Sequence, residues 1–144
     1  MKLLGSLAFV LSNIVLPAAV GFGAWKGLQF IADPRLTATT MVALSGTLIG
    51  FTMTAISLLV STADRPFIAN LRKTGHYNRL VSEILLTATL WLAVAVTALT
   101  AHFLTGDWQR LVAAVATGLL TLSFVHFVSA GRKFKIILTK LSAK

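Results

Sequence analysis

Uncharged stretches of membrane length alternate with short charged ones along this chain. Leu3 to Trp25 is 23 residues without Asp, Glu, Lys or Arg; Leu36 to Ala63 is 28, Ile84 to Gly106 is 23 and Leu111 to Gly131 is 21. At ~1.5 Å per helical residue, each run reaches the ~30 Å of a bilayer's hydrocarbon core. The pattern predicts an all-α membrane protein of one domain, 1–144, with transmembrane helices at about 3–25, 36–62, 84–104 and 111–131. The first run starts like a signal peptide, with Lys2, an apolar stretch and the small residues Pro17-Ala18-Ala19. It is read as a retained span, kinked where Pro17 withholds its N–H.

Between the second and third runs lies a polar loop, 63–83. Asp64-Arg65-Pro66 ends the second span and caps a short amphipathic helix over Arg65 to Lys73, with Gly75 as its stop. Phe67, Ile68 and Leu71 share one side of it, and Arg65, Arg72 and Lys73 surround them. A tight turn at Thr105 to Gln109 joins the last two spans, with Trp108 at interface level. Beyond Gly131 comes a basic tail, 132–144.

The second run has a pattern of its own. At alternating steps of three and four it reads Thr40, Ala43, Thr47, Gly50, Thr54, Ser57, Ser61, all small and five of them hydroxylated. Such positions share one helical face. Small faces let helices approach closely in lipid, and the 3.5-residue average favours a left-handed crossing. Two readings stay open: a helix-packing seam, or the wall of a pore formed between copies. The last run has a second small face at Ala114, Gly118, Thr121, Val125 and Ser129.

Composition agrees with the spans. The chain is 56% hydrophobic with mean hydropathy +0.85, too apolar for an ordinary soluble domain. The net charge of +9 would suggest nucleic acid in a soluble protein. Here its placement decides. With four spans, Lys2, Arg65, Arg72, Lys73, Arg79 and the five cations of the tail share a side, ten in all. Lys26, Arg35 and Arg110 take the other. Ten against three predicts that both termini and the 63–83 loop are cytoplasmic, as in a multi-pass protein of the bacterial inner membrane.

Reaction chemistry is thin. No carboxylate falls in mid-span, which counts against a proton-coupled transporter. The absence of cysteine excludes disulfides and thiolate catalysis. No phosphate loop or nucleophile–base pair stands out, and His76, His102 and His126 lie at different depths. The chain is expected not to be an enzyme and to hold neither metal nor cofactor. His126 is read as a helix–helix hydrogen-bonding residue or, more sharply, as a gate.

The cationic side offers contacts for anionic lipid or for a soluble partner, through Arg65, Arg72, Lys73, Arg79, Arg132, Lys133 and Lys135, with Phe67, Ile68 and Leu71 adding an apolar component. Direct nucleic-acid binding is not expected. So small a chain has few ways to enclose a path by itself, which predicts a homo-oligomer, a tetramer being one such assembly.

Three short segments carry a family resemblance: Ser45-Gly46-Thr47-Leu48-Ile49, Gly75-His76-Tyr77 in a basic loop, and Ser123-Phe124-Val125-His126 in the last span. With the four-span layout, they resemble the RexB family, membrane components of phage exclusion, over about Leu36 to Lys133. The chain departs from that family in its basic tail and in Asp64-Arg65-Pro66-Phe67. It is also similar in general layout to KwaA, the membrane subunit of an anti-phage system. The RexB resemblance implies an ion-conducting pore opened by a cytoplasmic sensor. The KwaA resemblance implies an oligomeric infection sensor working with a soluble DNA-binding subunit. A non-conducting anchor that recruits a soluble partner, and a holin-like or small transport protein, are the alternatives.

Overall fold

A computed structural model describes residues 10–27, 34–61, 73 and 75–142, and among these the chain is almost entirely helical. Helix α1 is a π-helical turn, Leu11–Val15, running into Leu16–Gly27. Helix α2 is Pro34–Ser61, α3 is His76–Phe103 and α4 is Gly106–Ser142. Three segments, Arg35–Ser61, Tyr77–Phe103 and Gly106–Ile136, are long and apolar enough to cross a membrane. Residues 3–9 of the expected first span and the expected amphipathic helix, apart from Lys73, lie outside the described residues.

Local sequence explains the irregular turn in α1. Pro17 has no N–H for the carbonyl of Asn13, and its ring crowds that oxygen. One turn earlier the helix widens, and the Leu16 N–H donates to the Leu11 carbonyl, five residues back. The disturbance expected at Pro17 is thus a π turn on its N-terminal side. The turn between α3 and α4 is shorter than expected: only Leu104 and Thr105 are non-helical. Gly106 follows at φ +66°, a left-handed conformation that a side chain would oppose. Trp108 and Gln109 belong to α4, whose first turn carries Asp107 at its positive end.

Two helices outrun their expected ends. α3 begins at His76, so 76–83 is helix where a loop was expected. α4 does not stop at Gly131; it continues through the basic tail to Ser142. Phe134 packs against the buried cluster of Leu59, Leu80, Ile84 and Ala130, which gives the helix a reason to go on. At 37 residues, α4 is ~55 Å long, well beyond a bilayer core.

The helices pack in the order α1–α4–α3–α2, with only light contact between α2 and α4. α3 is the most enclosed of the three long helices, 39% of an 18-residue apolar stretch being buried against 17% for α2. Apart from Ala88, its buried side chains step by three and four without a break: Tyr77, Leu80, Ile84, Thr87, Trp91, Val94, Ala98, Ala101. That 3.5-residue repeat is the signature of left-handed helix packing. In α2 the buried set is Ala38, Ser45, Thr52, Leu59, one per heptad. In α4 it includes Gln109, Ala113, Ala116, Ser123 and Ala130, with the same phase.

Side-chain size grades along this core. At the α3–α4 turn it is alanine: Ala38, Ala101, Ala113 and Ala114 form one cluster. The middle is aromatic. Trp91, fully buried, meets Phe124 and Phe127 edge-on at 5.6 and 6.3 Å, and Phe51 meets Phe127 at 5.9 Å. The end nearer the tail is Leu59, Leu80 and Ile84 with Ile56, Val81 and Phe134. Small residues permit close helix approach, whereas bulky ones hold helices apart.

Candidate functional site on the outward face of α2

The small-residue stripe of α2 points away from the protein's own core. Thr40, Ala43, Thr47, Gly50, Thr54, Ser57 and Ser61 are all exposed. The geometry follows from the heptad. Thr40, Thr47, Thr54 and Ser61 each lie two residues past a buried one, Ala38, Ser45, Thr52 and Leu59, which is about 200° around the helix. α2 packs on α3 with its opposite face, and the stripe is left open.

The stripe's hydroxyls donate within α2. Thr40 donates to the Leu36 carbonyl at 2.9 Å, Thr47 to Ala43 at 3.0 Å and Thr54 to Gly50 at 2.9 Å. Ser57 donates to Met53 at 3.0 Å and Ser61 to Leu58 at 2.9 Å. Each hydroxyl has its donor satisfied and keeps its lone pairs free to accept. The stripe is therefore weakly polar, shallow and able to face protein or water. Leu44, Phe51, Leu58 and Val60, also exposed, flank it with bulk.

The second small face is divided. Ala114 is buried and Gly118 half-buried against Pro17 and Gly21 of α1. A Cβ on Gly118 would lie 3.0 Å from the Pro17 carbonyl oxygen, and one on Gly21 would lie 3.2 Å from that of Ala114. This is a small-xxx-small crossing on both helices. Thr121, Val125 and Ser129 instead border an open cleft of about 770 Å³ that continues past Arg132 and Lys133 to Ile136.

The charged end is organised by one carboxylate. Glu83 accepts from Lys133 through both oxygens at 2.5 Å, joining α3 to α4, and pairs with Arg79 at 3.5 Å. Two of the expected partner contacts are thus already engaged within the chain. Lys73, Arg132 and Lys135 are exposed. Arg65, Phe67, Ile68, Leu71 and Arg72 lie outside the described residues. His126 is half-buried, and His102 stacks edge-on with Phe103 at 5.6 Å. Among the described residues no group of His and acidic side chains is arranged to hold a metal.

The aromatic layer itself was missed at the sequence level. Trp91 Nε1 is buried there without a hydrogen-bond partner, as is Ser45 Oγ on the buried face of α2, a costly arrangement. The spacing of Trp91 with Ile84, Thr87, Val94 and Ala98 was the available signal. No family model matches the chain, and no curated protein or solved structure is detectably similar to it.

Proposed function

We propose that this protein works as a homo-oligomer in a membrane, its α2 stripe turned toward neighbouring copies. The observation that carries this reading is the outward exposure of seven small residues on a helix whose other face is already packed. A lipid-facing helix gains nothing from such a groove, whereas a second helix gains close van der Waals contact. With both ends on the cytoplasmic side of the bacterial inner membrane, the exposed Lys73, Arg132 and Lys135 face a soluble partner. The function that suits this arrangement is that of a non-enzymatic effector of anti-phage defence, driven by a cytoplasmic sensor. In the conducting form of the reading, ions pass between copies along the α2 hydroxyls.

The chain lacks cysteine, so single-cysteine variants report without background. Thr47→Cys and Thr54→Cys should form disulfide dimers in membranes, and Leu92→Cys, exposed on α3, should not. No cross-link at either α2 position removes the oligomer reading. Planar-bilayer recording of the assembled protein with its partner then decides conduction; a silent but correctly assembled complex leaves a sensor or anchor.

A further inference from the structure

We propose that the groove between α1 and α4, at the α3–α4 turn end of the bundle, binds one zwitterionic glycerophospholipid of the ethanolamine type. The proposal requires α1 and α4 to lie in a bilayer; it does not depend on oligomerisation or conduction.

The groove follows from the glycine crossing. Where Gly21 meets Gly118, backbone packs directly on backbone, a Cβ on either lying 3.2 or 3.0 Å from a carbonyl oxygen of the other helix. The larger neighbours, among them Phe22, Val115, Leu119 and Leu122, border a floor of backbone. The result is an almost wholly apolar groove of about 420 Å³. Through Trp25 and Leu111, shared by both, it continues into a polar-rimmed hollow of about 450 Å³ framed by Asp107, Trp108 and Arg110.

Length, aromatic placement and charge each fit a lipid. From Leu111 to Leu122 the helix rises ~16 Å, half of a ~30 Å hydrocarbon core, which is one leaflet. Trp25 and Trp108, 41% and 69% exposed, stand at the junction of apolar groove and polar rim, where indoles sit in membranes. The rim holds one charge of each sign. Arg110 Nη1 lies 3.6 Å from Asp107 Oδ1, a long contact, and the Asp107 side chain is 99% exposed. The guanidinium keeps donors for a phosphate, and the carboxylate is open to a primary ammonium. The nearby Lys26 is drawn over the Phe22 ring, 5.4 Å from its centre. An apolar tail joined to a head with both charges matches this layout. A helix from a second copy would have to bury the charged rim.

The test uses the full-length protein in vesicles of equal phosphatidylethanolamine and phosphatidylglycerol, extracted in mild detergent for native mass spectrometry. One phosphatidylethanolamine per protomer should stay bound. Ala18→Phe, which fills the groove from an exposed position, should lower the bound fraction about tenfold. Asp107→Asn should abolish the preference over phosphatidylglycerol, and Arg110→Gln should weaken retention of both. These two positions are on the surface, so they carry the test if Ala18→Phe does not fold. No retained lipid, retention unchanged by all three variants, or preferential retention of phosphatidylglycerol by the unmodified protein would overturn the proposal. So would an Ala18→Phe effect confined to protomer–protomer cross-linking.

Discussion

Gly118 and Gly46 look alike in the sequence and differ in what surrounds them. A methyl group on Gly118 meets a backbone oxygen at 3.0 Å, whereas one on Gly46 meets nothing within 4 Å. Gly118→Ala should therefore push α1 from α4 and destabilise the fold by about 1–3 kcal/mol. Gly46→Ala, in mid-helix, should be neutral or stabilise by up to ~1 kcal/mol. Thermal unfolding in detergent, followed by helix content, separates the two. Trp91→Ala removes the largest buried side chain and two ring contacts. A loss of about 3–5 kcal/mol is expected, readable by the same melt. Glu83→Gln is milder. The carboxylate bridges two cations but is 24% exposed, and Lys133 is 45% exposed, so ~1 kcal/mol or less should be lost. The loss should shrink as salt is added.

At the level of elements, the runs of uncharged residues made α2, α3 and much of α4 legible, because lipid imposes both length and helicity. Which face of each helix turns inward was far less legible. In water a polar face opposes an apolar one and marks the core; in lipid both faces are apolar. α2 carries two small faces. One holds Ser45 and Thr52 and is buried; the other holds Thr47 and Thr54 and is exposed. Residue type does not separate them. The unbroken heptad from Tyr77 to Ala101 on α3 was readable in principle, since Leu80, Ile84, Trp91 and Val94 mark it. Charges after Gly131 mark the end of the uncharged run, but not the end of the helix, which Phe134 anchors beyond it. The alanine end of the core makes its own prediction. Ala101→Leu, at a site with no exposure, should overpack and cost about 1–3 kcal/mol. Leu at neighbouring, exposed Thr100 should be tolerated, as unfolding curves of the pair would show.

For the whole molecule, the order α1–α4–α3–α2 puts α1 and α2 at the two ends, each resting mainly on one helix, and places α4 between α1 and α3. The candidate stripe was visible from the sequence as a set of residues; its outward direction was not, because nothing in α2 alone says where α3 will dock. Cysteine labelling from the two sides of sealed vesicles should show Lys135→Cys on the cytoplasmic side and Trp108→Cys on the other. The reverse result would invert the proposed topology. α4 carries a larger consequence. It is one unbroken rod from the Gly106 turn to Ser142, with the cationic stretch at one tip and the glycine crossing toward the other. Arg132 and Lys135 are therefore joined to Gly118, and through it to the seat of α1, by a single piece of backbone.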